Sequence, residues 1–286
     1  MKLRAIILGC GSSGGVPRPG GPDGTGNWGA CDPSEPRNRR MRCSLLVQRA
    51  HETKGWDASE LTTVLVDTSP DLREQLLMAR CGRLDAVLYT HDHADQCHGI
   101  DDLRVVALNM MSRVPTYVDK ATTGNLLTRF SYCFEQAPGS YYPSILEYRE
   151  MPENGSTAEI DGPTGPIPFM PFLQHHGNVD SLGFIFGGQG GIAYSSDVHE
   201  LPPESFQLLD RTGIWIVDAL RIKPHVSHAH LDKALDWIAR VKPEGAVLTN
   251  LHVDMDYRSL EKTLPAGVIP AHDGLILERE IVRTAN

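Results

Sequence analysis

Short apolar runs separated by turn residues dominate this chain. Blocks of strand length recur at 3-8, 43-49, 62-67 and 86-89, and again at 167-173, 182-187, 190-194, 214-218 and 245-249. Between some of them the apolar positions fall three and four apart, which predicts amphipathic helices over 70-80, 119-131, 231-241 and 256-263. The segment 137-166 has neither period. It opens Ala137-Pro138-Gly139-Ser140 and closes Gly162-Pro163-Thr164-Gly165-Pro166, so it reads as a long connection between two similar halves. Strands mixed with helices predict an α/β fold. The connection lacks the character of a clear linker, and 1-286 is read as one domain without a short-period repeat.

Composition narrows the classes. With 41% hydrophobic and 7% aromatic residues, a chain of 286 residues can fill a sizeable core. Its longest apolar runs, Gly245-Ala246-Val247-Leu248 and Gly213-Ile214-Trp215-Ile216-Val217, fall far short of the roughly 18 to 20 residues of a membrane span. No membrane partner is expected. A net charge of −9 argues against a dedicated nucleic-acid surface, because phosphate neutralisation supplies most of such binding. The exception is Arg37-Asn38-Arg39-Arg40-Met41-Arg42, which either faces a phosphate or lies in a solvated loop. A homodimer is open on these grounds.

The six cysteines, at 10, 31, 43, 81, 97 and 133, form no Cys-x-x-Cys pair and fit a reduced, cytoplasmic setting. Leu8-Gly9-Cys10 imitates a lipoprotein cleavage box. Yet only Ala5 to Leu8 is apolar before it, against the roughly 7 to 15 residues of a signal peptide. Gly9-Cys10-Gly11-Ser12-Ser13-Gly14 spells the dinucleotide fingerprint after a strand. The Pro- and Gly-rich residues that follow cannot open a helix, so the segment reads as a turn that lets backbone approach the floor of a site.

Chemistry concentrates in His91-Asp92-His93-Ala94-Asp95-Gln96, just past the strand-like Ala86-Val87-Leu88-Tyr89. Two imidazoles and a carboxylate at i, i+2 and i+4 can share one divalent ion. Three further groups stand at strand ends: His175 and His176, Asp197, and Asn250 with His252. Each alone reads as an ordinary structural residue. Together they supply the nitrogen and oxygen donors a transition metal needs, gathered by the fold.

At this point the sequence resembles the metallo-β-lactamase fold superfamily, in the branch of the PhnP-type cyclic phosphate phosphodiesterases and, more distantly, the tRNase Z endonucleases. The residues that carry the resemblance begin with Leu8-Gly9-Cys10-Gly11, Gly15-Val16-Pro17 and Val66-Asp67-Thr68-Ser69-Pro70-Asp71. Thr90 to Asp95 continue it into His98-Gly99-Ile100-Asp101-Asp102-Leu103-Arg104, followed by His176-Gly177, Ser181-Leu182-Gly183-Phe184 and Tyr194-Ser195-Ser196-Asp197. His225-Val226-Ser227-His228 and Leu248-Thr249-Asn250 complete it over nearly the whole chain.

The resemblance implies a four-layer αβ/βα sandwich and a metal-dependent hydrolase. It places His91, His93, His176 and Asp197 around a first metal, Zn, Mn or Fe, with Asp95 and the bridging Asp197 at a second. Asp67 is expected to accept an imidazole N–H. His175 is expected to point away. His228, 22 positions before Asn250, matches the family's proton donor, with His225 and His230 as local alternatives. The expected substrate is a small cyclic phosphate or nucleotide-like phosphodiester, attacked by a metal-activated water. Two family histidines are replaced here, by Gln96 and Asn250, which leaves the second position oxygen-rich and suited to weaker Mn or Mg binding unless His252 supplies a nitrogen. The family's cysteine cluster for a structural zinc is reduced to Cys31. Alternatives are a catalytically impaired binding protein, a tRNase Z-like nuclease, for which no basic arm is present, and a thioesterase or lactonase.

Overall fold

The computed structural model describes residues 1–57 and 60–281. In chain order the strands of the first half are β1 (Lys2–Gly9), β2 (Ser44–Arg49), β3 (Thr62–Val66), β4 (Ala86–Leu88), β5 (Val114–Val118) and β6 (Leu146–Glu150). Its helices are α1 (Leu72–Met78), α2 (Ala94–Cys97), α3 (Leu103–Met110) and α4 (Lys120–Phe134). The second half holds β7 (Ala158–Ile160), β8 (Ile167–His176), β9 (Val179–Phe186), β10 (Ile192–Ser195), β11 (Ile214–Asp218), β12 (Gly245–Thr249), β13 (Val268–Pro270) and β14 (Ile276–Glu280). Helices α5 (Pro203–Leu209), α6 (Leu231–Val241) and α7 (Tyr257–Thr263) lie between them.

Two seven-stranded sheets result, ordered β14-β1-β2-β3-β4-β5-β6 and β13-β12-β11-β10-β9-β8-β7. Alternation along each strand explains the layers. Leu3, Ala5 and Ile7 of β1 join Val64, Val66 and Leu88 in a core shared with Phe169, Phe184, Phe186, Ile216 and Val247 of the second sheet. The intervening Ile6 and Leu8 face the other way, onto residues of α1, α3 and α4. Trp215, Val217, Ala246 and Leu248 likewise face α5, α6 and α7. Strands buried on both faces read as continuous apolar runs, which is why run length and flanking turn residues, rather than alternation, mark them. The order helix, sheet, sheet, helix is the four-layer sandwich.

The reading of 137-166 as a bare connection needs correction. Leu146–Glu150 pairs in parallel with β5 and ends the first sheet, and Ala158–Ile160 pairs with β8 and ends the second. Both are edge strands. The first, Leu-Glu-Tyr-Arg-Glu, buries only its leading residue, so it carries charge where a central strand carries Val or Ile. β14 escaped notice for the same reason: Glu278, Arg279 and Glu280 line an outer strand paired with β1.

β3 to β6 run parallel in the first sheet and β10 to β13 in the second. Loops at the carboxyl ends of parallel strands are where α/β folds collect functional groups. The Gly-rich turn after β1 crosses the same end. Gly11 N–H donates to Met41 O at 2.8 Å, and Leu251 N–H donates to Cys10 O at 2.7 Å, tying the first strand to the loop after β12. A side chain at Gly9 would place Cβ 2.0 Å from the carbonyl of Arg42. Close backbone approach is thus the reason for glycine there.

Candidate metal centre

His91 and His93 follow β4, flanking Asp92. The preceding Thr90 fixes the first of them: its hydroxyl lies 2.9 Å from Asp67 Oδ2 and 2.9 Å from His91 Nδ1, and its amide donates to Asp67 Oδ1 at 2.8 Å. A hydroxyl has one proton. Given to ionised Asp67, it leaves the oxygen free to accept Nδ1–H of His91, so the lone pair falls on Nε2. That Nε2 is buried with no hydrogen-bond partner among the described residues. Burial also holds the His91 ring neutral, pushing its pKa down to about 3.

Asp67 was expected to touch an imidazole directly. It sits instead one residue removed, at the end of β3 with φ of 61°, and reaches His91 through Thr90. Burial pushes its carboxyl well above the ordinary range while the Thr90 bonds oppose that rise. Ionisation of Asp67 and a cation on His91 are therefore mutually favourable.

His176 ends β8. Its Nδ1 lies 2.6 Å from the carbonyl of Ser227, which can only accept, so Nδ1 carries the proton and Nε2 the lone pair. Gly177, with φ of 63°, makes this approach available, since a Cβ there would meet Ser227 Cβ at 2.8 Å. Burial lowers the His176 pKa and favours the neutral ring. Its Nε2 faces His93 Nδ1 at 3.2 Å. Ligand atoms of His91, His93 and His176 all lie within 4.8 Å of one another. Two of the three rings are buried and His93 is exposed, so the group opens toward solvent on one side. Bare imidazole lone pairs, oriented from behind by Thr90 and Ser227, fit a divalent transition metal.

A second group shares His176 and adds Asp197 and His228. Asp197 follows β10, its backbone carbonyl held by the Ser181 hydroxyl at 2.6 Å. Burial works against its charge, yet His91, His228 and His176 together keep its carboxyl below the ordinary carboxylate value. His228 Nδ1 lies 2.8 Å from Asp218 Oδ2 and 3.8 Å from Asp197 Oδ1. Burial disfavours charge on this ring too, but Asp218, Asp197 and Asp95 outweigh it and carry the pKa up to about 9.

Asp218 was absent from the sequence-derived set. Burial raises its carboxyl to about 7, with His228 pulling the other way. The signal was legible: an acid closing the buried run Ile214–Asp218, parallel to β10 and β12, must end beside whatever follows those strands.

Gln96 and Asn250 are buried and both reach Asp197. Gln96 Nε2 lies 3.0 Å from its Oδ2, and Asn250 Nδ2 lies 3.5 Å from its Oδ1. Asp95 belongs to neither three-residue group; burial and the charge of Asp197 raise its carboxyl to about 6. His252 is also outside both groups, its Nδ1 2.7 Å from Asp254 Oδ1. His175 turns outward to Asp180 at 2.7 Å, His225 Nδ1 faces Ser227, and His230 stands at the start of α6.

The arginine cluster is not a free anion platform. Arg37 pairs with Glu35 at 2.7 Å and Arg42 with Asp71 at 3.0 Å. Arg39 lies over Trp28. Arg40 is buried, donating to the carbonyl of Met255 at 2.7 Å and to Asn38 Oδ1 at 3.1 Å. Cys31 packs with Val16 and Trp28 of its own segment and with Val253 of the loop before α7. The cluster ties the segment before β2 to the start of α7.

Known proteins share this fold. A diphosphatase of the PhnP family is 31% identical and covers 98% of each chain with a TM-score of 0.79. Human short-form tRNase Z, at 14% identity and a TM-score of 0.59 over 96% of this chain and 98% of its own, shares the fold. A protein of Porphyromonas gingivalis (strain ATCC BAA-308 / W83) named octanoyltransferase is 30% identical over 278 residues, 96% of this chain and 51% of that protein. The chain thus spans about half the length of that relative. Residues 62–250, from β3 to Asn250, match the family described as beta-lactamase superfamily domain. With its four layers and its histidine group at the matched strand ends, the chain belongs to the beta-lactamase superfamily.

Proposed function

We propose that this chain is a metal-dependent phosphodiesterase acting on a small cyclic or nucleotide-like phosphodiester. The observation that carries the reading is the three-imidazole group with the His228–Asp218 pair beside it. The likeness to a PhnP-family diphosphatase over 98% of the chain supports phosphoryl chemistry and makes a phosphoanhydride the neighbouring substrate class.

A divalent ion, Zn, Mn or Fe, held by His91, His93 and His176 with Asp197 nearby would polarise a phosphoryl oxygen and lower the pKa of water. The chain's own residues do the rest. Thr90 and Ser227 hold two of the rings in the tautomer that ligates. His228, protonated near neutrality beside Asp218, is placed to give a proton to a leaving alkoxide. Asp218 orients that ring through Nδ1, which leaves Nε2–H as the proton to be given. A nitrophenolate leaving group needs no such help.

Hydrolysis of bis(p-nitrophenyl) phosphate with added Mn²⁺, lost in His93→Ala, is the direct test. Against an alkyl phosphodiester, His228→Ala should lose far more turnover than against the nitrophenyl ester. The octanoyltransferase name of one relative motivates an acyl reading, so p-nitrophenyl octanoate belongs in the same assay. Metal-dependent cleavage of the octanoate with none of the phosphodiester would overturn the phosphoryl assignment.

A further inference from the structure

Two hydrogen donors that cannot titrate lie against Asp197. Gln96, Asn250 and Asp197 are 1%, 2% and 3% exposed, and both amide nitrogens point at the one carboxylate. The direction of each amide follows from its surroundings. Asn250 Nδ2 lies 2.9 Å from the backbone carbonyl of Ser196, an obligate acceptor, and 3.1 Å from His228 Nδ1; turning the amide over would set two oxygens against each other at Ser196. Its φ of 61° fixes the departure of the side chain from the loop after β12 in a left-handed conformation that Asn adopts readily. Turning Gln96 over would place its oxygen 3.0 Å from Asp197 Oδ2, again acceptor on acceptor, unless a cation lay between.

An amide nitrogen is a poor metal ligand because its lone pair is delocalised into the carbonyl. It presents hydrogens, and here they lie against both carboxylate oxygens of Asp197, those of Gln96 at Oδ2 and those of Asn250 at Oδ1. Asp95 and His252 stand outside both ligand groups, and His252 is engaged by Asp254. From this we infer that the centre is mononuclear: the Gln96 and Asn250 amides take the place of a second cation beside Asp197, and the three imidazoles form the one tight metal position. The inference deepens the reading of the same centre, but it rests only on the metal-binding part of that reading, not on the choice of substrate.

The test is metal stoichiometry without substrate. The full chain, saturated with Mn²⁺ or Zn²⁺ and desalted, is assayed by plasma mass spectrometry, and a parallel Mn²⁺ titration is followed by electron paramagnetic resonance. One ion per chain and an uncoupled Mn²⁺ spectrum are expected. Gln96→His combined with Asn250→His should raise the content to two ions and introduce Mn–Mn coupling. Two retained ions, or a coupled spectrum, in the unaltered chain would overturn the inference. So would a folded double variant that still takes a single ion, since the amides would then not be the cause. Should the double variant not fold, the unaltered chain decides alone. Loss of phosphodiester hydrolysis would leave the stoichiometry untouched, so the two readings fail separately.

Discussion

Asp218→Asn removes one charge from the site while keeping size and a hydrogen-bonding group, which isolates what the buried carboxylate does for His228. The carboxylate lies 2.8 Å from Nδ1 and is fully buried, while the imidazole is 15% exposed, so solvent screens the pair little. Burial alone would lower the histidine. The rise from 6.5 to about 9 therefore reflects its carboxylate neighbours, with Asp218 the leading one, and corresponds to roughly 3 kcal/mol of preference for the charged ring. Because the folded value lies above the unfolded one, this stabilisation is complete below about pH 6.5 and fades as the pH rises through about 9. Asp218 runs the other way, its carboxyl raised to about 7 by burial, so both partners are charged between about pH 7 and 9.

Histidine ring signals in the metal-free protein report this directly, since a nearby cation would itself lower the ring. In Asp218→Asn the His228 midpoint should fall from about 9 to the ordinary 6.5 or below. The alkaline limb of kcat/KM for an alkyl phosphodiester should move down with it, and that for a nitrophenyl ester should move much less. A His228 midpoint still near 9 in the variant would refute the pairing as the source of the shift.

Other consequences are as specific. Thr90→Val removes the acceptor behind His91 and should weaken metal binding by about 10- to 100-fold in chelator competition, with Thr90→Ser restoring it. Arg40→Met leaves the buried Met255 carbonyl without its guanidinium donor, while Asn38 Oδ1 keeps the Tyr257 amide, so urea unfolding should show a loss of about 1 to 3 kcal/mol with metal content unchanged. Gly177→Ala forces Ser227 away from His176, because the added Cβ would lie 2.8 Å from Ser227 Cβ; it should lower metal affinity, visible as a changed Co²⁺ spectrum. Saturating metal at about 100 times its Kd should stabilise the fold by about 2.7 kcal/mol, and chelation should remove that increment in a thermal melt.

Legibility followed burial. β11, β12 and α6 lie where the apolar residues put them, because the strands are continuous buried runs and the helix buries one face at a three-to-four-residue spacing. β6, β7 and β14 left none, being short or charged edges whose placement depends on a neighbouring strand. The same divide runs through the site. His91 and His93 stood out by type and local spelling and His176 through the family resemblance, whereas Thr90, Ser227 and Asp218 act through contacts spanning up to 51 positions. Asp67 shows the limit most clearly. Its place at a strand end was readable, but the intervening Thr90 hydroxyl was not, because adjacent residues in a turn do not announce which of them faces the ring.

The fate of the arginines bears on how an anionic substrate is met. Arg37 and Arg42 are spent on Glu35 and Asp71, and Arg40 on backbone carbonyls, so the most basic stretch of the sequence serves the loop's own structure. Arg129 of α4 does reach the metal loop, but it donates to the carbonyl of Asp92 at 2.6 Å and pairs with its carboxylate at 3.0 Å. That residue stands between His91 and His93, so the guanidinium braces the loop that spaces the two rings. Next to it, Phe130 breaks the regular dihedrals of α4 and packs edge-on to His98 at 5.6 Å between centroids. Under the phosphodiesterase reading proposed above, a phosphate would meet positive charge at the centre itself, from a bound cation and the protonated His228. On that reading, a chain of net charge −9 would favour a small phosphoester whose charge fits that one point over a polyanion that needs a surface.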